Sequence, residues 1–315
     1  MNKDIKVSIL VPFFKVENYV GKCVESLFCQ TYKNIEYVFV NDCTPDKSME
    51  IINENIDKFG VKDKCKIIEH KTNKGISTSR NDCLDNATGD YILFIDSDDY
   101  IDLDMVESLV NAAKENAADI TGCGYTEEFG DRSVDMPQVY TNDHDEMLKA
   151  ITVLKIKGVM WKLLIRRSIV EDNNVRFLPD NTVVEDYLFC CKVFFYAKKF
   201  ASVERCMYHY IQFNPDNHSQ ITRFNVNSQA NAVIKTEEFY KENGVYDIVK
   251  NELLQRKFIL KLPLLLNKNC YDVKTWRQLF PESNFAWNNI NLGIKNKLIV
   301  LLAQTPFYRL IPLLR

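Results

Sequence analysis

The 315-residue chain lacks the features that mark several large classes of protein. It has no excess of basic residues, because 40 Lys and Arg stand against 43 Asp and Glu, whereas a nucleic-acid-binding protein usually carries a strong positive charge. It has four histidines and no C-x-x-C pair, so its ten cysteines do not form the usual ligand pattern of a zinc site. We therefore expect neither a nucleic-acid partner nor a structural zinc ion.

Long apolar runs are also missing. The longest run near the end of the sequence, Leu298 to Ala303, is too short to span a bilayer. The first residues resemble no signal peptide and lead directly into a strand pattern, so we expect a cytoplasmic protein. The cysteines are spread through apolar stretches, which indicates buried free thiols in a reducing compartment rather than disulfides.

The apolar content is high enough for a large core, at 46% hydrophobic and 12% aromatic residues, and the length suits two units. Up to residue 125, short runs rich in β-branched residues alternate with helical stripes. The first such run is Val7 to Val11, which we expect to end at Pro12. This alternation predicts an α/β fold, with a mainly parallel sheet flanked by helices. Beyond residue 224 the pattern is almost entirely helical.

Acidic residues follow two of the predicted strands. Asp42 comes after the second strand, and Asp96, Asp98 and Asp99 come after the fourth. Because ligands bind outside the carboxyl ends of strands in open α/β sheets, we expect both groups at one functional edge. Three neighbouring carboxylates repel one another unless a cation compensates, and oxygen ligands favour Mg²⁺ or Mn²⁺. The alternative is that these acids cap the next helix, a role that Asp104 can already fill.

A glycine enters the predicted helix between these two acidic groups. The segment Asn73-Lys74-Gly75 leads into this helix, which contains Arg80. Helix N-termini and arginine side chains both favour anions, so the segment suits a diphosphate. Gly75 alone is equally well explained as an ordinary turn residue.

Five segments resemble, in order and spacing, the motifs of glycosyltransferase family 2, namely residues 7–14, 26–32, 40–46, 73–81 and 94–99. The resemblance is strong up to about residue 125 and looser to about residue 222. It implies the GT-A fold, a nucleotide-sugar donor (by analogy a UDP-sugar), a divalent metal ion (Mn²⁺ or Mg²⁺) and inversion at the anomeric carbon.

Site residues carry over from this resemblance position by position. It implies a place beside the nucleotide base for Pro12 and Phe14, and contact with the base or ribose for Asp42. The full set of donor-binding residues that it implies is Pro12, Phe14, Asp42, Lys74, Gly75, Arg80, Asp96 and Ser97. The implied metal ligands are Asp98, Asp96 and Asp99. The family usually has an acid before Asp42 and Gly-Ser after it, whereas this chain has Asn41 and Cys43-Thr44, which leaves the base preference open.

The general base of an inverting transfer is expected from a second acidic pair, Glu185 and Asp186. The pair resembles the family's acids at the start of a helix, which implies Asp186 as the base, with Glu185 positioning or replacing it. From the residues alone, both acids could simply favour a helix N-terminus electrostatically.

Acceptor residues are harder to identify. Trp161 and Lys162 resemble a segment that often precedes the acceptor site, although a lone tryptophan is more often a core residue. His218 lies in a polar loop that could close over the donor diphosphate or could be a plain surface loop.

Taken together, the motifs predict a catalytic domain over residues 1–224, with a donor half to about residue 125 and an acceptor half after it, followed by a helical extension over residues 225–315. The predicted function is metal-dependent sugar transfer to a glycan or lipid-linked acceptor in cell-surface polysaccharide synthesis. One alternative is a sugar nucleotidyltransferase, which would normally carry a glycine-rich basic loop after the first strand that this chain lacks. Another is a non-catalytic nucleotide- or glycan-binding scaffold.

The tail of the chain combines positive charge with apolar residues. No acid follows Glu282, four cations do, and leucines and isoleucines recur from Leu292 to Leu314. This pattern suits either ordinary core packing or contact with an anionic membrane surface. Since many relatives in the family extend glycans on lipid carriers, the resemblance favours peripheral contact at the inner face of the membrane.

Overall fold

The computed structural model describes residues 4–178, 185–214 and 223–314. The chain divides into two compact units. The first unit comprises Met1–Met147 and Gly158–Asn217, and the second comprises Leu148–Lys157 and His218–Arg315. Residues 148–157 therefore cluster with the helical extension, although they fall within the predicted catalytic domain.

The strands of the first unit form one sheet. They are β1 (Val7–Phe13), β2 (Ile35–Asn41), β3 (Cys65–Glu69), β4 (Tyr91–Phe94), β5 (Tyr100–Ile101), β6 (Ile120–Glu128), β7 (Ser133–Met136), β8 (Leu163–Arg166) and β9 (Phe200–Ile211). Their order is β3-β2-β1-β4-β8-β6-β9-β5, with β7 paired to β6.

Helices follow or separate these strands. They are α1 (Val20–Phe28), α2 (Ser48–Phe59), α3 (Ile76–Asn86), α4 (Met105–Asn116), α5 (His144–Thr152), α6 (Arg167–Asp172), α7 (Glu185–Tyr196), α8 (Arg223–Glu242), α9 (Tyr246–Lys261), α10 (Pro263–Leu266), α11 (Val273–Gln278), α12 (Ile294–Ala303) and α13 (Ile311–Leu314). Short 3-10 turns cover Lys62–Lys64, Pro281–Ser283, Ala286–Asn289 and Pro306–Leu310.

The sheet is mixed. Parallel pairing joins β1 to β2 and β4, β2 to β3, and β6 to β9. Antiparallel pairing joins β8 to β4 and β6, β7 to β6, and β5 to β9. The predicted parallel arrangement thus describes the first four strands, and antiparallel partners complete the other half of the sheet.

The first strand extends beyond the predicted stop at Pro12. Pro12 pairs with Val40, and β1 continues to Phe13. The carbonyl of Leu10 accepts from Ile95 on the β4 side, and residues alternate along a strand, so the nitrogen of Pro12 also faces β4. The β4 ladder has already ended opposite Leu10, so the missing N–H of proline removes no hydrogen bond there.

The core of the first unit forms because helix and strand patterns present their apolar faces together. On α1 the fully buried side chains are Val20, Cys23, Val24 and Leu27, whose spacing places them on one helical face. They belong to the same hydrophobic cluster as residues of β1 and β2. Full burial of each aliphatic side chain contributes about 1.5–3 kcal/mol, so this face fixes the helix against the sheet.

The described residues also test two simpler expectations. All ten cysteines are free thiols, but only six are buried: Cys29, Cys65 and Cys206 are partly exposed and Cys43 is exposed. Within the ranges that the structure describes, no helix is both long enough and apolar enough to cross a bilayer.

Glu36 ties together the edge of the sheet at which the parallel strands begin. Its Oε2 atom accepts from Lys6 Nζ (2.5 Å) and Thr88 Oγ1 (2.7 Å), and its Oε1 atom accepts from Ser8 Oγ (2.5 Å) and the Thr88 amide (2.6 Å). Burial alone would raise the pKa of Glu36, but these hydrogen bonds outweigh it and lower the pKa to about 2.

We expect the carboxylate of Glu36 to stop stabilising the fold on acidification. A carboxyl group whose pKa is lowered by folding stabilises the fold above its unfolded pKa, about 4.3 for glutamate, and the effect fades as the pH falls towards the folded pKa of about 2. Glu36→Gln should lower the free energy of unfolding at neutral pH by about 1–2 kcal/mol, a figure that allows for screening of these partly exposed contacts by solvent. The free energy of unfolding should also depend less on pH in this variant. Denaturant unfolding at several pH values measures both effects. Glu54→Gln, at an exposed position on α2, is the control, and an equal loss there would contradict the assignment.

Candidate active site

The ends of β2 and β3 bring two chemically active side chains together. Asn41, the last residue of β2, lies opposite Glu69, the last residue of β3. Asp42 and His70 are therefore the first residues beyond two adjacent parallel strands. Both are buried, with 4% and 8% of their surface exposed.

The carboxylate of Asp42 holds the chain segment that enters α3. Its Oδ1 atom accepts from the Lys74 amide (2.7 Å) and its Oδ2 atom from the Gly75 amide (2.8 Å). Gly75 has a φ of 85°, a conformation that favours glycine, and it directly precedes the helix. Asp42 thus fixes the backbone of the segment expected to bind a diphosphate.

His70 is a site residue that the sequence analysis missed. Its Nδ1 atom lies 2.7 Å from Asp42 Oδ1, and its Nε2 atom lies 2.6 Å from Asp82 Oδ2 on α3. The signal was available, because His70 follows the third strand just as the acidic groups follow the second and fourth.

Beyond β4, the structure separates Asp99 from Asp96 and Asp98. Asp99 is 1% exposed, its Oδ2 atom accepts from Tyr208 Oη (2.6 Å), and its Oδ1 atom accepts from the Ile211 amide (2.8 Å). Burial raises the pKa of Asp99 well above its usual range, and the neighbouring Asp98 and Asp96 raise it further, against the lowering effect of the two hydrogen bonds. Asp99 therefore ties β9 to this turn, and its expected role as a metal ligand is corrected.

Asp96 and Asp98 remain partly exposed at the same edge. Asn214 Nδ2 donates to Asp98 Oδ2 (2.9 Å), a contact that the sequence did not indicate. Across the described ranges, no group of three or more His, Cys, Asp or Glu side chains is arranged to hold a metal ion. Asp96 and Asp98 are thus two partly exposed carboxylates at this edge.

Arg80 connects the two acidic centres of the site. Its Nη1 atom donates to Asp186 Oδ1 (2.5 Å), and its Nη2 atom donates to Asp96 Oδ1 (3.1 Å). The Arg80 side chain is 5% exposed, while those of Asp96 and Asp186 are 27% and 16% exposed. The sequence placed Asp96 and Asp186 ninety residues apart in two separate predictions, and the structure joins them through one guanidinium group.

The residue after Arg80 strengthens the same connection. The side chain of Asn81 donates to the Phe177 carbonyl and accepts from the Phe177 amide, both at 2.9 Å. Helix α7 begins at Glu185, which places Asp186 in its first turn. The side chain of Glu185 and the whole of His218 lie outside the described residues.

The remaining donor-side residues surround the same edge. Pro12 and Ser97 are buried, whereas Phe14 is 37% exposed and the Nζ atom of Lys15 lies 5.2 Å from its ring centre. The Nζ atom of Lys74 lies 4.0 Å from Asp82. Phe14 is therefore a partly exposed aromatic side chain at this edge of the sheet.

The predicted acceptor residues Trp161 and Lys162 lie in the core, so that prediction is wrong. Trp161 is 2% exposed and stacks on Tyr208 with a 4.1 Å separation of ring centres. Lys162 is fully buried, and its Nζ atom donates to Tyr140 Oη (2.7 Å). A side chain buried in this way offers no platform for a sugar.

The loop after β2 keeps its shape through side chains rather than glycine. Cys43 stands where the family motif has glycine, and its φ of 60° lies in the left-handed region. The side chain of Asn41 accepts from the Thr44 amide (2.8 Å), and Asp46 Oδ1 accepts from Thr44 Oγ1 (2.6 Å) and Ser48 Oγ (2.6 Å). These contacts compensate for the departure from the family pattern.

Comparisons with known proteins identify the family of this chain. The sequence model named Glycosyl transferase family 2 matches residues 8–172. The uncharacterized glycosyltransferase EpsJ of Bacillus subtilis strain 168 is 32% identical over 276 residues, which cover 84% of this chain and 78% of that protein. The poly(ribitol-phosphate) β-glucosyltransferase of Bacillus spizizenii is 27% identical over 270 residues, which cover 84% of this chain and 40% of that protein.

A solved structure supplies the fold comparison. The crystal structure of S. aureus TarS 1–349 in complex with UDP-GlcNAc matches this fold with a TM-score of 0.73 at 21% identity, over 98% of this chain and 90% of that one. The fold is thus that of the GT-A glycosyltransferases, as expected. The chain belongs to glycosyl transferase family 2, because the family model matches more than half of its length. It is an enzyme that transfers sugars.

Proposed function

We propose that this glycosyltransferase moves a sugar from a UDP-sugar to a glycan or lipid-linked acceptor in cell-surface polysaccharide synthesis. The reaction is metal-dependent and inverts the anomeric carbon. The TarS complex with UDP-GlcNAc supports a UDP-sugar, and the relative named for poly(ribitol phosphate) supports a polymeric acceptor. Residues 1–224 form the catalytic domain of the proposal, and residues 225–315 form its helical extension. Neither the sugar nucleotidyltransferase nor the non-catalytic scaffold is retained, because the family is one of glycosyltransferases.

One observation carries the proposal, namely the guanidinium group of Arg80 between Asp96 and Asp186. It places a carboxylate suited to a metal ion and a carboxylate suited to base catalysis within reach of one cation. A neighbouring arginine favours the ionised form of a carboxylate, which is the form that accepts a proton. Asp186 lies in the first turn of α7 in contact with Arg80, a position that suits the general base of the proposal.

The residues present fit a divalent cation. Asp96 and Asp98 carry negative charge that adds to the effect of burial in raising the pKa of Asp99, so the potential at this edge is strongly negative. One or two carboxylates together with substrate phosphate oxygens are a usual ligand set for Mg²⁺ or Mn²⁺. Asp96 and Asp98 would hold the ion, which would supply charge neutralisation at the donor diphosphate.

The transfer itself follows from the position of Asp186. Its carboxylate takes the proton of the acceptor hydroxyl as the acceptor oxygen forms a bond to the anomeric carbon. The bond from that carbon to the diphosphate oxygen breaks on the opposite face, and its electron pair leaves with the nucleoside diphosphate. Arg80 faces the charge that develops on the leaving group, and Phe14 and Asp42 lie on the nucleotide side.

The tail of the second unit supports a membrane-bound setting. On α12, Ile299 and Val300 are buried, whereas Ile294, Leu298 and Leu301 are 89%, 46% and 46% exposed. Their spacing of four and three residues places them on one helical face, which we name the exposed stripe. Further exposed side chains nearby in sequence are Phe307, Leu310, Lys295, Lys297 and Arg309. Exposed leucines beside lysines and arginines suit an anionic bilayer surface, so we place the enzyme at the cytoplasmic face of the membrane.

Removing the metal site should abolish turnover and leave the fold intact. Asp98→Asn removes one of the two charges proposed to hold the cation, so release of nucleoside diphosphate from a panel of nucleotide sugars should fall to background. A chelator should have the same effect on the parent enzyme, reversed by Mn²⁺ or Mg²⁺. Asp104→Asn, an acid at the start of α4 that pairs with Arg205, is the control and should retain activity. Full turnover in chelator would exclude the metal.

Replacing the base should slow the chemical step selectively. Asp186→Asn should lower kcat by about 10²–10⁴, the usual effect of losing a general base, with donor KM nearly unchanged. Steady-state kinetics with the best donor from the panel measures both constants. Asp85→Asn, which removes another arginine-paired acid, should leave them unchanged. Loss of donor affinity with kcat preserved would make Asp186 a donor-side or structural residue.

The membrane setting predicts a charge-sensitive stripe. The double variant Leu298→Glu and Leu301→Glu should stay folded and hydrolyse donor. It should no longer sediment with vesicles rich in phosphatidylglycerol, because a charged side chain on the exposed stripe is unfavourable inside the bilayer. Ile234→Glu changes a residue of α8 with 40% exposure and should sediment like the parent. If the parent never sediments, or if the double variant changes oligomeric state instead, the stripe contacts protein and the membrane setting fails.

A further inference from the structure

His70 links two carboxylates through its two ring nitrogens. Nδ1 lies 2.7 Å from Asp42 Oδ1, and Nε2 lies 2.6 Å from Asp82 Oδ2. The side chains of His70 and Asp42 are 2% and 5% exposed, and that of Asp82 is 32% exposed. Water therefore has little access to the contact between His70 and Asp42, which we name the inner contact, and more access to the contact between His70 and Asp82.

The hydrogens on the two ring nitrogens decide which carboxylate the His70 ring can donate a hydrogen bond to. A carboxylate accepts hydrogen bonds and donates none, and a neutral imidazole carries a single N–H. A ring nitrogen that carries a hydrogen donates it to the carboxylate that it faces. Hydrogen bonds to a charged acceptor such as a carboxylate are stronger than those between neutral groups.

This arrangement holds α3 at two points. Asp42 accepts from the amides of Lys74 and Gly75 at the start of the helix. Through His70 it also contacts Asp82, two helical turns further along. Arg80 lies between these two points on the same helix. Arg80 is held separately by Asp96 and Asp186, so the histidine bears mainly on the start of α3, where Lys74 and Gly75 lie.

We propose that His70 is a positioning residue for donor binding, fixing the Asp42 carboxylate and the start of α3 in the conformation that accepts the nucleoside diphosphate. The inference deepens the proposed function and rests on it for the identity of the ligand. His70 itself touches no reacting atom. Its loss acts on the affinity for the donor and leaves the chemical step, which depends on Asp186, unchanged.

The test compares three replacements of His70 in the full chain, with UDP in the presence of Mn²⁺ as the probe. His70→Ala removes both contacts and should weaken UDP binding, measured by calorimetry, by about 10-fold to 100-fold. Donor KM should rise in proportion, with kcat within about threefold of the parent. His70→Asn places an amide nitrogen near the Nδ1 position and should keep UDP affinity within about fivefold. His70→Gln reaches towards Asp82 instead and should resemble the alanine variant.

Two further variants keep the proposal testable if His70→Ala fails to fold. Asp82→Ala leaves the contact from His70 to Asp42 in place and should weaken UDP binding by about 3-fold to 10-fold. His144→Ala removes a partly exposed histidine that contacts the Phe195 carbonyl and should bind UDP like the parent.

Each outcome decides one question. Parental UDP affinity in the folded His70→Ala or Asp82→Ala variant overturns the positioning role, as does a fall in kcat with donor KM unchanged. Equal losses in the asparagine and glutamine variants overturn the assignment of the inner contact. If the parent enzyme does not bind UDP, the proposed UDP-sugar function fails, and that result is distinct from either of the others.

Discussion

The guanidinium group of Arg80 is buried between two carboxylates, and the arrangement of the site depends on how that burial is compensated. Removing such a cation from water is unfavourable, and Asp96 and Asp186 offset the penalty with charge-assisted hydrogen bonds. Because one planar group contacts both acids, the turn after β4 and the first turn of α7 are fixed relative to α3. The three negative charges of Asp96, Asp98 and Asp186 still exceed the single positive charge of Arg80. The divalent cation of the proposed function would offset this excess of negative charge when a donor diphosphate binds.

Much of this could be predicted from sequence because it depends on local patterns. In a parallel sheet the carboxyl ends of the strands lie at one edge, so Asp42, Asp96 and Asp98 could be assigned to that edge from the alternation of strands and helices. The α/β class followed from the alternation of strands and helices, and the GT-A fold was implied by the resemblance to glycosyltransferase family 2. Asp186 was found only through the resemblance, since two acids at a helix start have an equally good explanation in helix electrostatics.

Other features depend on contacts between distant residues, which no local pattern contains. His70 has its partners 28 and 12 residues away, and each partner alone resembles an ordinary acid. Asp99 differs from its neighbour Asp98 only in the direction of its side chain, and that direction is set by Tyr208 from β9. Trp161 could not be assigned to the core or to a sugar platform until its burial was known. The antiparallel pairing of β8 with β4 and β6 likewise joins strands that are distant in sequence, so no local pattern indicates it.

The loop after β2 differs from the family motif in its residue types, because a cysteine takes the place of a glycine. Cys43 adopts a left-handed conformation in the place of a glycine, at a strain typically of order 1–3 kcal/mol for a residue with a side chain. The side chain of Cys43 also leaves the unfolded chain fewer conformations than a glycine would, so folding loses less conformational entropy, and this offsets part of the strain. Asn41 and Asp46 hold the loop from both sides. The conformation of this loop therefore depends on the polar side chains of Asn41 and Asp46, and not on the backbone freedom of a glycine.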